Sequence, residues 1–396
     1  VRPGRLALIA ALAAAAVAGR LVPRPVPERG GAGPRSDAKP RPPWTSMLFA
    51  VLVVGVLLYA LRALTEPMWS NDFLAIWGLK GKAFAGSAGF PRWLSDAAFS
   101  HPEYPLGLPL VFAAISALLG RWDDHAAALI YPAIQVGTLA VLGGWLRRRG
   151  ASHAVAISAA ALLALFEPLY SAFLTGMAEV PLSAAFLLLA TALADVLDGA
   201  DEGAVRRLAA ASLFAAAIKN EGLFFAAAAS VAALAALASA RGSRDVKRRS
   251  LRAFAAALGP ALGVVLLMRA AAGSAPLRDF DLRLLISGPS AALGARIAET
   301  VRTDADLAAR GWPVLLAIAV LILLGRGGAS ARRILILGAA CLAVYLTIPV
   351  ISVRGPRWLA QTTLPRTAAA LAPVAAAGIG LGFSKRPRAG ATPREG

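Results

Sequence analysis

The chain has 396 residues, of which 58% are hydrophobic and only 16% charged, and its mean hydropathy is +0.65. Apolar residues in such excess fall in long uninterrupted runs, which excludes an ordinary soluble domain and points to helices that cross a bilayer. The net charge of +19 does not mark a nucleic-acid-binding protein, because the basic residues sit in short clusters between apolar runs, as in the cytoplasmic loops of membrane proteins.

In chain order, residues 6–19 follow Arg2 and Arg5 and fit either a signal-peptide core or a short span. The Pro- and Arg-rich segment 20–43 reads as a linker, so that 1–45 precede a transmembrane domain over 46–383 and a basic cytoplasmic tail over 384–396. The linker carries Arg20, Arg24, Arg29, Arg35, Lys39 and Arg41 and is expected in the cytoplasm. The helix at 46–64 then leads outward, and the stretch 69–84 (WSNDFLAIWGLKGKAF) lies on the outer face.

Segment 105–119 gives only about 22 Å of helix, short of a hydrocarbon core of roughly 30 Å. It is expected to lie in the interface or to re-enter. Arg147, Arg148 and Arg149 then fall inside after the span at 126–146. Further spans are expected at 153–169, 179–197, 208–219, 223–240, 253–271, 311–325, 333–350 and 367–383, giving an all-α protein with about ten or eleven spans. Inner loops carry Arg206 and Arg207, the basic run 241–252, Arg326, Arg332 and Arg333. Segments 272–310 and 351–366 are expected as outer loops. The second holds Arg354, Arg357 and Arg366, against the charge rule, which fits either an anionic ligand or the ordinary statistical scatter of a few outer arginines. The single cysteine, Cys341, lies in an apolar run and allows no intrachain disulfide and no thiolate metal site.

This threading gathers polar residues from distant segments on one face, where charges at membrane depth usually line a cavity or meet a partner. Asp72 follows Ser70 and Asn71 at a helix start. It fits a capping acid held by the helix dipole, or a general base that accepts a hydroxyl proton. His101, Glu103 and Tyr104 stand among prolines just before the short helix. His101 and Glu103 leave a divalent metal open, although two residues do not specify one. Lys219 and Glu221 sit between two apolar helices, where Lys219 either snorkels to the interface or meets a phosphate. Glu179 begins a helix, and Lys80 follows Asp72 within the outer stretch.

The order of these features (an acid after the first long helix, YPLGLPL at 104–110, GMAEVPL at 176–182, KNEG at 219–222, and LPRTAAALAP at 364–373) resembles the polytopic GT-C glycosyltransferases, such as protein O-mannosyltransferases and aminoarabinose transferases. The resemblance implies a lipid-linked sugar donor on a polyprenyl phosphate, and a glycan, lipid or protein acceptor. It also implies a site on the periplasmic or exterior side of the plasma membrane. It implies Asp72 as the catalytic acid-loop residue, Lys219 and Arg366, with Arg354 and Arg357, as phosphate contacts, and interfacial helices at 72–84 and 105–119. Members of that group often carry two adjacent acids where this chain has Asn71–Asp72. Acceptor recognition is expected from 85–103 and 272–310. His101, Glu103, Tyr104, Glu179, Glu221 and Lys80 are the expected cavity residues. The competing reading is a transporter or flippase for a lipid-linked or anionic solute, which the same lysine and arginines would serve.

Overall fold

The computed structural model describes residues 43–87, 100–199, 202–239, 243–272, 283–286, 291–309 and 328–383. Among them there is helix and no strand. The N-terminal apolar run, the linker, the expected span at 311–325 and the basic tail lie outside these residues.

The first long helix, α1 (Pro43–Thr65), is followed by a π-helical turn over Phe73–Trp77 that runs directly into α2 (Gly78–Gly86). Then come α3 (Gly107–Leu119), α4 (Asp124–Ala128), α5 (Ile130–Arg148) and α6 (His153–Ala164). The central and later helices are α7 (Glu179–Leu197), α8 (Glu202–Ile218), α9 (Glu221–Ala238) and α10 (Arg244–Ala272). A short α11 (Arg283–Ile286), α12 (Ala291–Ala309), α13 (Ala329–Thr347), α14 (Pro356–Ala369) and α15 (Ala372–Gly382) complete the chain. Six helical stretches are long and apolar enough to cross a membrane, and α14 with α15, bent by 45°, would make a seventh. With α6 and α8 beside them, this is an all-α, multispanning membrane protein.

Helix α7 is the hub. It packs against α5, α8, α9, α10, α13 and α15. Alanines at 185, 190, 192 and 194, all buried, let neighbouring backbones approach closely, as helix association in lipid requires. Phe186 of α7 stacks on Phe225 of α9 with ring centroids 3.4 Å apart. In contrast, α1 is peripheral and leaves Leu57, Leu58, Leu61 and Leu64 exposed toward the lipid.

Nineteen residues carry α7 across about 28 Å at 1.5 Å per residue, which separates two polar ends. At its C-terminal end, Asp195 accepts from Trp145 Nε1 at 3.0 Å and from Arg149 Nη2 at 2.6 Å, and pairs with Arg207 at 3.3 Å. Asp198 accepts from Arg149 and from Ser330 Oγ, each at 2.6 Å, and pairs with Arg333. This cluster fastens the ends of α5, α7 and α8 and the start of α13. Glu179 stands at the other end.

Tyr104, just before α3, and Tyr131, at the start of α5, lie at that other end: Tyr104 lines the cavity described below, and the Tyr131 hydroxyl donates to Met177 O at 2.9 Å. The chain therefore enters α3 and begins α5 on the same side. Between them α3 lies along α2, with Gly81 against Phe112.

Three expected loops are instead helical. The arginine segment 351–366 is mostly α14, because Pro356 sits at its start, where a proline suits a helix. The outer segment 272–310 contains α12, whose Arg296 donates to Val350 O at 2.7 Å and to Ser352 O, bracing the start of the arginine segment. The basic run 241–252 becomes helical at Arg244 and opens α10. In each case the charged residues hide the helix from an apolar-run criterion, although they are good helix formers.

Candidate functional site

The site starts where α1 ends. Ser70 Oγ accepts from Phe73 N at 3.2 Å and so caps the next helix. Asp72 makes no capping hydrogen bond of its own. The capping role thus belongs to Ser70, and the Asp72 carboxylate is released for another contact. The π-helical turn over Phe73–Trp77 follows at once. Such wide turns are rare and recur at functional sites. Gly176, at φ 95°, presses against this turn: a Cβ there would lie 2.9 Å from Phe73 Cβ. A side chain would be strained by that φ and would also collide.

Asp72 Oδ2 accepts from Arg366 Nη1 at 2.6 Å. Arg366 Nε lies 3.4 Å from Glu179 Oε1. The same oxygen accepts from Lys219 Nζ at 3.1 Å, and Lys219 also pairs with Glu221 at 2.7 Å. Asp72, Arg366, Glu179, Lys219 and Glu221 form one chain of alternating charge drawn from the π turn, α7, α9, α14 and the link before α9. Glu179 is fully buried and Lys219 nearly so. Charges at that depth persist only when paired and hydrogen-bonded.

Over this chain of charges lies a cavity of about 730 Å³ lined in part by Asn71, Asp72, His101, Tyr104, Lys219 and Arg366. That volume is in the range of small-molecule sites. One wall is a column of rings. Tyr104 stacks on Trp77 at 5.5 Å and 21° and on His101 at 4.8 Å and 24°. His101 has φ 48°, an uncommon conformation for a side-chain-bearing residue. Contacts that hold it there include the Tyr104 stack, Glu103 Oε1 3.0 Å from its Nδ1, and Lys80 Nζ donating to its carbonyl at 2.6 Å. Burial pushes the Glu103 carboxyl up, but the His101 hydrogen bond and the nearby Lys80 ammonium pull it below its ordinary value. Burial drives the Lys80 ammonium down to about 8, against the pull of Glu103.

Not every expected cavity residue reaches the cavity. Asp72, His101, Tyr104, Lys219, Glu221, Arg354 and Arg366 line it. Lys80, expected there, is fully buried behind His101, because the lysine is consumed in fixing that strained residue's backbone. Glu103, also expected there, stands behind the His101 ring, and Glu179 stands behind Lys219 and Arg366. Both carboxylates support residues that face the cavity. Arg357, expected beside the phosphate contacts, is exposed and does not line the cavity, since α14 turns it away from Arg354 and Arg366. Arg354 lies at the rim, its guanidinium carbon 4.7 Å from the centre of the Trp358 ring. Among the described residues it has no carboxylate partner.

Asn220, of the KNEG stretch, lines the cavity as well, and so do Tyr345 and Trp358, which nothing in the sequence singles out beyond an aromatic residue near an apolar run. Among the described residues no group of three or more His, Cys, Asp or Glu side chains is placed to hold a metal ion. His101 and Glu103 instead bind each other.

Fold and site together define a multispanning membrane protein with a charged, ring-walled cavity at one end of its bundle. No family model matches the chain, and no curated protein matches it.

Proposed function

We propose that this protein is a membrane glycosyltransferase that moves a sugar from a polyprenyl-phosphate donor to an acceptor hydroxyl at the outer face of the plasma membrane. The observation that carries the reading is Asp72: it is free of any capping duty, held by Arg366 at 2.6 Å, and lines a cavity large enough for a sugar. A carboxylate so held and facing the cavity is suited to take a hydroxyl proton. The acceptor oxygen then attacks the anomeric carbon, the bond from that carbon to the phosphate oxygen breaks, and the phosphate leaves with the electron pair. The configuration inverts.

The leaving phosphate needs cations. Arg354 is the lining cation among the described residues without a carboxylate partner, and its rim position suits a headgroup whose lipid tail stays in the bilayer. Lys219 and Arg366 also line the cavity and add positive potential, although each is already held by carboxylates. The side on which the cavity opens follows from the charge rule: Arg149, Arg207 and Arg333 stand at the opposite end of α7, the end expected in the cytoplasm.

A transporter or flippase is less well supported. It would need polar groups along the middle of the bundle. Along α7, the central helix, the hydroxyls of Ser183 and Thr191 bond back to Val180 O and Leu187 O of their own helix and are not offered to a solute.

The test is incubation of the purified protein with a panel of radiolabelled polyprenyl-phosphate sugars and detergent-extracted envelope acceptors. Release of sugar from one donor, abolished by Asp72→Asn in a protein that still folds, is the expected result. Every donor remaining intact, or full activity in Asp72→Asn, would rule the reading out.

A further inference from the structure

We infer that the ring gripped in the cavity is an uncharged, polyhydroxylated one, a neutral sugar and neither a uronate nor an amino sugar, and that the Tyr345 hydroxyl is one of its direct contacts. The inference deepens the transfer reading and rests on it for the ring being a sugar.

It starts from charge. The cavity and its supporting network hold Asp72, Glu179 and Glu221 against Lys219, Arg354 and Arg366, a formal balance of zero. Apart from Arg354 at the rim, every one of these groups is already in an ion pair. A carboxylate on the ligand would find no free cation inside, and an ammonium would find no free carboxylate. Either would be desolvated without a matching partner, which is costly at low dielectric.

The uncommitted polar groups are neutral. Tyr345, on α13, is more than nine-tenths buried, lines the cavity, and among the described residues its hydroxyl has no hydrogen-bond partner. A buried hydroxyl left this way is destabilising unless a ligand or water completes it. Asn220 stands at the start of α9 yet makes no side-chain capping bond, and it lines the cavity too. Asn71 lines it beside Asp72, and among the described residues its amide makes no hydrogen bond. A phenol and two amides offer both donors and acceptors, which is what ring hydroxyls need. The column of Tyr104 and His101 supplies a flat wall for the apolar face of such a ring. Asn71 now has a reason: an acid beside Asp72 would add an unmatched charge, whereas an amide binds a hydroxyl without one.

Two measurements separate this inference from the transfer reading. Saturation-transfer NMR on the detergent-solubilised protein with methyl hexosides, the matching methyl hexuronides and the aminohexosides reads binding alone. Neutral hexosides are expected to give the signal, weakened at least fivefold by Tyr345→Phe, which keeps the packing and removes only the hydroxyl. An equal signal from hexuronides or aminohexosides, no signal from any neutral hexoside, or an unchanged signal in Tyr345→Phe would overturn the inference. A transfer assay with neutral, acidic and amino sugars on one polyprenyl phosphate reads the reaction. Neutral sugar bound but never transferred would sink the transfer reading and leave the binding inference standing. A charged sugar transferred as fast as the neutral one would do the reverse.

Discussion

Arg366 Nη1 lies 2.6 Å from Asp72 Oδ2, an ion pair between residues 294 positions apart in the chain. It joins the first turn after α1 to α14, and through Glu179 it reaches the central helix. The pair fixes the orientation of the Asp72 carboxylate.

Arg366→Ala is therefore expected to remove sugar transfer and to destabilise the protein by about 3 kcal/mol, because the fully buried Glu179 loses one of its partners and the half-buried Asp72 loses its cation. Arg366→Lys keeps the charge but loses the planar fork, and should recover part of the stability and little of the rate. Melting in detergent and single-turnover transfer check both.

Lys219 bears on the same network from the other side. Lys219→Met leaves Glu179 and Glu221 facing each other, so its melting temperature should fall well below that of Glu221→Gln, in which the partly exposed acid alone is removed. The double variant Lys219→Met with Glu179→Gln should melt higher than Lys219→Met alone. A double variant no more stable than the single one would show that the two residues are not coupled.

Lys80 gives a pH signature. Its ammonium is held down to about 8 by burial, against an ordinary value of 10.5. Between those values the unfolded chain binds the proton and the folded one does not, so stability rises with pH through the window, by roughly 3 kcal/mol once pH exceeds the unfolded value. The wild type should gain stability from pH 7.5 to pH 10.5 relative to Lys80→Met, which carries no such proton. Thermal unfolding of the two proteins across that range measures the difference.

Gly107 is a close-packing glycine. A Cβ there would lie 2.5 Å from Ala217 O, two residues before Lys219. Gly107→Ala should push α3 off α8, lower the melting temperature and raise KM, because Tyr104 and Lys219 sit on the two sides of that contact. Gly137→Ala, in α5 with open space around it, is the control and should be neutral or slightly stabilising.

Asp195 tests the far end. Asp195→Asn weakens the contacts from Arg149, Arg207 and Trp145 and should cost about 2 kcal/mol of stability. It stands a helix length from the cavity, so the KM of the folded fraction should not change.

Much of this architecture is readable in the sequence. Apolar runs locate α1, α5, α7, α9 and α13, since only a helix satisfies its own backbone in lipid. The clusters Arg147–Arg149 and Arg332–Arg333 mark one end of the bundle. Asp72, Lys219 and Arg366 stand out because charge at membrane depth needs a reason. Helices α12 and α14 do not stand out, because their charged residues break the apolar pattern without breaking the helix.

The sequence by itself thus determined the fold class, the two-ended distribution of charge and most of the charged residues gathered at the cavity end. Only the tertiary structure decided how they are shared out. A membrane-spanning helix is largely apolar on all sides, so periodicity does not reveal which span is central, and α7 emerges only from packing. Ion pairing is likewise a property of distance: Lys80 and Glu103 are spent on holding His101, Arg357 turns away, and Tyr345, unremarkable in an apolar run, is left with a hydroxyl that has no partner among the described residues. The role of Asp72 turned on one such distance. Ser70 took the cap, and that left the aspartate to Arg366.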